Sequence, residues 1–349
     1  PNGRMQCDVC PRECQLNEGQ RGLCFVRARK GEELVLTTYG RSSGFCIDPI
    51  EKKPLNHFLP GTPVLSFGTA GCNLTCKFCQ NHDISKSRQM DSLMDEAPPD
   101  LIAEAAVQMD CRSVAFTYND PVIFLEYALD TAKACRARGI KSVAVTAAYV
   151  KPEAREEFFS HMDATNIDLK GFTDGFYKDL CTADLASVLD TIVYVHHETD
   201  VWMELTTLLI QNKNDGDDEL KALTDWVVSN VGAEVPIHFS AFHPDYRMKN
   251  VPHTPQSTLF RAVEIANQAG IRYAYAGNIH HRTTGTTWCN ECGAALIERD
   301  WYEITKWALD DHGACLDCCA PCSGVFDGRH GEWGRKRQPV RLADVRGSL

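Results

Sequence analysis

Between residues 64 and 277, short apolar runs rich in β-branched residues alternate with longer segments of mixed polarity. Such runs predict buried strands of a parallel sheet, and the segments between them show the apolar spacing of helices. Two of these segments end in glycine, at Gly139 and Gly270, which suits a helix C-terminus. The predicted strands span residues 64–68, 113–117, 141–146, 164–170, 201–210, 236–242 and 271–277.

Repeated βα units predict an α/β fold, and six or seven of them fit a partial (β/α)6-type, TIM-like barrel. Catalytic residues of such barrels lie just after the strands, at their C-terminal ends. An open doubly wound sheet is the alternative, and strand order distinguishes the two. The sequence divides into an N-terminal four-cysteine metal module (1–60), the barrel (61–284), a zinc-ribbon-like module (285–328) and a basic tail (329–349).

The composition is that of a globular protein, with 44% hydrophobic and 24% charged residues among 349. The net charge of −11 makes nucleic acid an unfavourable partner, because like charges repel. The first residues lack the pattern of a secretion signal, and no apolar run is long enough to cross a membrane. We therefore expect a cytoplasmic protein without a membrane-spanning segment.

Seventeen cysteines change this picture, because so many in an enzyme-sized chain indicate metal binding. Thirteen of them fall into three groups near the start, after the first predicted strand and near the end. The four that stand alone are interpreted as small buried side chains, and they are Cys46, Cys111, Cys135 and Cys181.

The middle group lies in GTAGCNLTCKFCQNHDIS, directly after the first predicted strand, and has the spacing C-x3-C-x2-C. Its members are Cys72, Cys76 and Cys79. An iron–sulfur cubane normally takes four thiolates, so a loop that offers three leaves one iron for another ligand. Three cysteines on one helix face could instead pack in a core. The polar, glycine-containing sequence around them favours an irregular loop, and therefore a metal site.

With Phe78 before its last cysteine, this motif resembles the signature of radical S-adenosylmethionine (SAM) enzymes. The resemblance implies that Cys72, Cys76 and Cys79 hold a [4Fe–4S] cluster, that SAM binds its fourth iron, and that Phe78 lies against the adenine. It also implies reductive cleavage of SAM to methionine and a 5′-deoxyadenosyl radical, which abstracts hydrogen from a substrate. An electron donor such as flavodoxin or ferredoxin is implied as well.

Related enzymes that activate pyruvate formate-lyase carry SAM contacts at later strand ends. By this resemblance, Asn119 and Asp120 after the second strand, Asp168 and Lys170 at the end of the fourth, and His243 after the sixth are predicted SAM-binding residues. Two alternatives come from the residues themselves. Asp120 precedes a proline and suits a helix N-terminus, and Asp168 could pair with Lys170.

The two outer cysteine groups predict further metal sites. The first has the spacing C-x2-C-x3-C-x9-C and is expected to hold zinc or a second iron–sulfur cluster, and its members are Cys7, Cys10, Cys14 and Cys24. The second has two C-x2-C knuckles typical of a structural zinc ribbon, and they are Cys289, Cys292, Cys315 and Cys318. Cys319 and Cys322 could compete as ligands, and iron is the alternative occupant.

Over nearly its whole length the sequence resembles the radical SAM enzyme of the AmmeMemoRadiSam system. That resemblance implies AMMECR-type and Memo-type proteins as partners. The substrate is expected to be a small molecule or a residue on a protein. One alternative in the same class is an activase that makes a glycyl radical on a partner enzyme. A zinc-ribbon scaffold or binding protein is the alternative from another class.

Overall fold

A computed structural model describes residues 3–87 and 95–346 of the chain. The strands are β1 (Met5–Gln6), β2 (Gln15–Leu16), β3 (Arg27–Lys30), β4 (Glu33–Leu36), β5 (Arg41–Ser42), β6 (Phe45–Pro49), β7 (Pro63–Phe67), β8 (Asp95–Glu96), β9 (Ser113–Phe116), β10 (Lys141–Thr146), β11 (Ala164–Asp168), β12 (Trp202–Leu209), β13 (Ile237–Ala241), β14 (Ala274–Gly277), β15 (Thr287–Trp288), β16 (Ala295–Asp300), β17 (Glu303–Trp307) and β18 (Gln338–Val340). The helices are α1 (His82–Ser85), α2 (Pro99–Gln108), α3 (Leu125–Arg136), α4 (Pro152–Phe159), α5 (Asp174–Phe176), α6 (Leu185–Glu198), α7 (Asp217–Val231), α8 (Gln256–Ala269), α9 (Arg282–Gly285) and α10 (Leu342–Arg346).

The central sheet has nine strands in the order β14-β13-β12-β11-β10-β9-β7-β6-β18. The seven strands from β7 to β14 in this sheet pair in parallel, and they are the seven that the sequence predicts. Their order in space follows their order in the chain, with α2, α3, α4, α6, α7 and α8 as crossovers. A doubly wound sheet requires a reversal of strand order, so that alternative is wrong and the partial barrel is confirmed.

Two antiparallel strands extend the sheet beyond β7, and both come from segments that the sequence assigns to other modules. β6 pairs with β7, and β18 pairs with β6. The expected division at residue 60 therefore does not coincide with an edge of the sheet. Part of the basic tail likewise joins the sheet, and α10 lies against α2.

The crossover helices bury one apolar stripe each against the sheet. In α8 the buried side chains are Thr258, Leu259, Ala262, Ile265 and Ala266, the spacing of a single helix face. The helix ends at Gly270 with a φ of +100°, as the sequence predicts. Within the described part of the chain, no helix is both long and apolar enough to span a bilayer.

Residues 50–62 and the cysteine-rich segment after β15 close the N-terminal end of the barrel with a buried polar network. The Glu204 carboxylate accepts hydrogen bonds from the backbone N–H groups of Asn56 and His57 and from His238 Nε2 at 2.7–2.9 Å. Arg299, on β16, donates to the Asn56 carbonyl at 2.7 Å. His238 therefore has a structural partner in Glu204. This network joins the barrel to the C-terminal module.

Candidate active site

A cavity of about 400 Å³ opens at the C-terminal ends of the parallel strands. Eight of the nine residues predicted to hold the barrel cluster or SAM line it, and they are Cys72, Cys76, Phe78, Cys79, Asn119, Asp120, Asp168 and Lys170. These residues follow three different strands, as expected for a barrel site. The ninth, His243, is exposed and does not line this cavity. A contact between His243 and SAM stays a prediction from sequence.

The cysteine loop between β7 and α1 takes its shape from distant parts of the chain. The backbone N–H groups of Thr75 and Lys77 donate to the carbonyls of Cys181 and Leu180 at 3.1 and 2.9 Å. Asn73 Nδ2 donates to the Tyr149 carbonyl at 2.9 Å. The segment Tyr177–Cys181 is a turn of π-helix. This loop is therefore an irregular, externally supported structure, not a helix that packs three cysteines into the core.

Two glycines in the loop are required by close contacts with other backbone. A Cβ atom at Gly68 would collide with the Thr117 carbonyl and lie 2.6 Å from Asn119 Oδ1. Gly71 has a φ of +82°, and a Cβ there would overlap the carbonyl oxygen of Cys24. The glycines thus allow the cluster loop to lie directly on the segment after β9 and on the N-terminal cysteine module.

The sequence predicts Cys181 to be a small core residue, and the structure places its thiol beside Cys76. A hydrogen bond from Cys181 is the largest influence on Cys76 and lowers the pKa of the Cys76 thiol to about 7, against the effect of burial. The positive charges of Lys170 and Lys86 act in the same direction. Burial raises the pKa of Cys72 to about 12. Cys76 therefore ionises more readily than Cys72 in this structure.

Asn119 fixes the start of the cysteine loop. Its Nδ2 atom donates to the Gly71 carbonyl at 2.8 Å, and its Oδ1 atom accepts from the Thr69 backbone N–H at 3.2 Å. Both amide atoms of this buried side chain are engaged with the segment just before Cys72. Asn119 therefore positions the loop, whatever else it contacts.

The Asp120 carboxylate lines the cavity and also ties the end of β9 to β10. It accepts hydrogen bonds from the backbone N–H groups of Val122 and Ala147 and from the Thr146 hydroxyl, at 2.9–3.1 Å. The bond to Val122 is that of an N-cap on the short 3-10 helix Pro121–Phe124, which matches the structural alternative for this residue. Burial raises its pKa, and these hydrogen bonds oppose that rise.

Asp168 and Lys170 form an ion pair at the cavity wall, with 2.7 Å between Lys170 Nζ and Asp168 Oδ2. The alternative that the two residues pair with each other therefore describes this structure. Burial opposes the charge on Lys170, but attraction to Asp168 and Cys76 outweighs it and raises the pKa of Lys170. The ammonium stays charged beside Cys76, where it can attract an anionic group.

Comparison with known proteins agrees with this geometry. A family model described as the radical SAM superfamily matches residues 67–226, which contain the cysteine loop and the predicted SAM contacts up to Lys170. An uncharacterized protein of Methanocaldococcus jannaschii is 39% identical over 298 residues, covering 85% of this chain and 88% of that protein. Residues 67–226 of this chain form a radical SAM domain.

This radical SAM enzyme also has similar solved structures, at low sequence identity. SuiB of Streptococcus suis, bound to S-adenosylmethionine, is 13% identical with a TM-score of 0.50, over 66% of this chain and 53% of that one. A domain of the pyruvate-formate lyase-activating enzyme of Bacteroides vulgatus is 19% identical with a TM-score of 0.43, over 48% of this chain and 99% of that domain. At 13% identity, the likeness to SuiB concerns the fold alone.

The cavity of this radical SAM enzyme fits the two cofactors that the family implies, a [4Fe–4S] cluster and SAM. Three cysteines line one cavity, and Cys181 does not line it, so the protein offers three thiolates rather than four. A bound cluster of this type supplies the electron that cleaves SAM reductively. Phe78 is 4% exposed and provides an apolar wall next to the cysteines. Lys170 keeps a positive charge there.

The C-terminal cysteines form a compact group. The sulfurs of Cys289, Cys292, Cys315 and Cys318 all lie within 4.8 Å of one another. Two of the distances are 3.5 Å, from Cys289 to Cys318, and 3.8 Å, from Cys292 to Cys315. A tetrahedral ion with metal–sulfur bonds of about 2.3 Å separates its sulfurs by about 3.8 Å. The two knuckles therefore fit a single metal ion.

The two cysteines that sequence leaves as competing ligands lie elsewhere. The sulfur of Cys322 is 4.0 Å from His57 Nδ1, at the floor of the barrel. Cys319 is exposed and has a φ of +61°. Neither belongs to the compact group that the structure shows.

The N-terminal cysteines surround a small cavity of about 20 Å³ next to the cluster loop, and they are Cys7, Cys10, Cys14 and Cys24. The Cys7 backbone N–H donates to the Cys14 carbonyl at 2.9 Å, which brings the two turns of the module together. Burial raises the pKa of Cys10 to about 12. Within residues 3–87 and 95–346, these sulfurs do not form as tight a group as the C-terminal four.

Proposed function

We propose that this enzyme cleaves SAM reductively, with a [4Fe–4S] cluster on Cys72, Cys76 and Cys79, and that the resulting 5′-deoxyadenosyl radical removes hydrogen from a substrate. The observation that carries the proposal is the convergence of these three cysteines, Phe78 and the ion-paired Lys170 on one cavity. A site that only held metal would not need an apolar wall and a charged pair beside an incomplete set of ligands.

The roles of the other residues follow from their contacts. Asn119 holds the cluster loop against the end of β9, so we assign it a positioning role. Asp120 keeps the ends of β9 and β10 together through three hydrogen bonds, which supports a role in shaping the SAM pocket. Lys170 faces the cavity with a retained charge and suits the carboxylate of SAM.

We also propose zinc for the compact C-terminal site, because four thiolates at tetrahedral spacing form a closed structural site. For the N-terminal module, an iron–sulfur cluster is favoured over zinc because, among the described residues, its four sulfurs do not form a group as tight as the C-terminal one. Sequence resemblance supports membership of the AmmeMemoRadiSam group, with AMMECR-type and Memo-type partners and a flavodoxin or ferredoxin as electron donor.

The test uses protein purified without oxygen and reduced with dithionite. Wild-type protein should convert SAM to equal amounts of 5′-deoxyadenosine and methionine, measured by liquid chromatography. A Cys76→Ala variant should lose this conversion, whereas Cys111→Ala, a buried cysteine just before β9, should retain it. Absence of both products from wild-type protein with a complete cluster would reject the proposal and favour a binding or scaffold role.

A further inference from the structure

The active-site cavity has a second charged wall that the proposed chemistry does not use. Asp48, Lys52, Lys53 and Tyr118 line the same cavity as the cysteine triplet. The first three lie in β6 and just after it, outside residues 67–226, which match the general superfamily model. They therefore lie outside the part of the chain that the superfamily model matches.

These groups surround the buried Asp48 carboxylate, with Lys53 buried and the Lys52 side chain 35% exposed. Lys52 Nζ and Lys53 Nζ lie 2.7 and 2.9 Å from its two oxygens, and the Tyr118 hydroxyl donates to it at 3.2 Å. Asp48 is fully buried and the Lys53 side chain is 3% exposed. Burial opposes ionisation of Asp48, but the two lysines outweigh it and lower its pKa to about 2. The carboxylate is ionised at neutral pH.

Two ammonium groups share this one carboxylate, and the guanidinium of Arg337 acts on it as well. Burial lowers the pKa of Lys53 and the Asp48 charge opposes that effect, so this cavity wall presents two lysines to one carboxylate. In the described part of the chain, Asp48 is the one hydrogen-bond partner of Lys53 Nζ, although a lysine has three N–H donors. A buried ammonium with donors left over costs free energy unless a further acceptor binds there.

We propose that Lys52 and Lys53, held by Asp48, form a binding subsite for a carboxylate or phosphate group of a small-molecule substrate. The proposal rests on the proposed function, since it places the substrate in the cavity where SAM is cleaved. The subsite is separate from the SAM residues, because Asp48 pairs with Val64 at the start of β7 whereas the cysteine triplet follows its end.

The dimensions of the cavity favour a small-molecule substrate. The cavity of about 400 Å³ adjoins a second one of about 100 Å³, and Lys52, Pro54 and Tyr302 line both. Tyr302 comes from the turn between β16 and β17 in the C-terminal module. The anionic end of the substrate would lie between these elements, with its reacting carbon toward the cysteine triplet.

The test measures anion binding to the anaerobic holoenzyme saturated with SAM, by isothermal titration calorimetry at low ionic strength. Inorganic phosphate and succinate are the two probes, and the tighter one identifies the chemistry of the anion. Lys52→Gln is the main variant, because Asp48 keeps Lys53 and Tyr118 as partners in it. Its affinity for the better probe should fall at least roughly tenfold. Lys221→Gln, an exposed lysine on α7, is the control and should bind as wild type does.

Three results would overturn the subsite: no binding of either probe to wild type, equal affinity in Lys52→Gln, or an equal loss of SAM affinity in that variant. The last result would place Lys52 in the SAM site. Formation of 5′-deoxyadenosine by wild type without added anion is measured in parallel. Its absence would reject the proposed function, whereas its presence without anion binding would reject the subsite alone.

Discussion

The C-terminal four-cysteine site and the barrel triplet are built in opposite ways. In the C-terminal site, short-range backbone hydrogen bonds form each knuckle, such as Gly293 N to the Cys289 carbonyl at 2.9 Å and Cys319 N to the Cys315 carbonyl at 2.9 Å. Four sulfurs then meet within 4.8 Å. In the barrel, hydrogen bonds to residues far away along the chain hold the loop of Cys72, Cys76 and Cys79.

This difference separates a structural site from a reactive one. Four thiolates at tetrahedral spacing complete the coordination of an ion and leave no place for a substrate. Three thiolates on the wall of a 400 Å³ cavity leave a coordination position and room beside it. The barrel loop needs outside support because no complete shell of protein ligands closes it. Changes to that support should therefore affect the barrel loop more than equivalent changes affect the knuckles.

The largest effect is expected from Gly71→Ala. The added Cβ would overlap the Cys24 carbonyl, so either the cluster loop or the N-terminal module must move. We expect a loss of about 4 kcal/mol or more in the free energy of unfolding, together with loss of iron from the barrel. Urea unfolding and iron analysis measure the two effects.

Gly139→Ala is the matched control, because Gly139 also has a positive φ, +73°, but no atom lies within 4 Å of the position that a Cβ would take there. Conformational strain alone should cost about 1 kcal/mol at this site, with iron retained. Equal effects of the two substitutions would show that contact with Cys24 does not support the cluster loop.

The same contrast explains what the sequence could predict. The seven parallel strands, the barrel and the compact C-terminal group follow from patterns within short segments, namely apolar runs and C-x2-C knuckles. Eight of the nine residues predicted for the barrel site line the cavity as well, because the cysteine motif and the family resemblance both indicate positions at the strand ends. Those predictions depend only on which residues follow one another within short segments of the chain.

Residues brought to the site by tertiary packing give no such signal. Cys181 stands alone in the sequence, yet the turn Tyr177–Cys181 folds its thiol against Cys76. Asp48 and Lys53 lie in a segment assigned to another module, and strand β6 carries them to the cavity. The sequence feature that comes closest to predicting this cluster is the opposite charge of Asp48 and Lys52, which lie four residues apart. His243, placed by resemblance, is exposed in the structure.

Removal of one cysteine ligand from the C-terminal site tests whether that site and the barrel cluster are independent of each other. Cys315→Ser should release about one metal ion per chain, because the site is a closed set of four thiolates. The unfolding midpoint should fall, since this module packs on the barrel floor through Arg299 and Asn56. Metal analysis by mass spectrometry should find the iron content unchanged. Loss of iron along with the ion would show that the two sites are one cooperative unit.

The stability of the fold should depend on pH at the contact between the barrel and the C-terminal module. Glu51 is buried near Arg299 of the C-terminal module, and burial raises its pKa to about 7 despite that positive charge. The folded state therefore keeps a proton that the unfolded state releases above a pH of about 4.5. Stability from this group is greatest at low pH and falls as the pH rises through 7, by up to about 3 kcal/mol.

Glu51→Gln should remove this pH dependence while keeping the hydrogen bond from Gly61 N–H, which is 2.7 Å long. Burial lowers the pKa of His57 to about 4, so His57 contributes in the opposite direction, with stability lost as the pH falls from 6.5 to 4. The two contributions nearly cancel in wild type below neutrality. The stability difference between variant and wild type, measured by urea unfolding at pH 5 and pH 8, should therefore grow by roughly 2 to 3 kcal/mol in favour of the variant. A constant difference would show that Glu51 is ionised throughout.

The smallest effect is expected from a substitution of Cys181, which removes a single hydrogen bond to the cysteine triplet. The Cys181 thiol donates to the Cys76 sulfur, and such donors stabilise the more negative, reduced state of a cluster. Cys181→Ala should therefore lower the midpoint potential of the barrel cluster by about 40 mV, which corresponds to a hydrogen bond that is about 1 kcal/mol stronger in the reduced than in the oxidised state. Potentiometric titration followed by electron paramagnetic resonance measures the shift. Cys181→Ser should restore most of it, because serine keeps a donor, and Cys135→Ala, which removes an equally buried sulfur from α3, should leave the potential unchanged. Equal potentials in all three variants would mean that Cys181 supports the loop through its backbone carbonyl alone, by the bond that it accepts from Thr75.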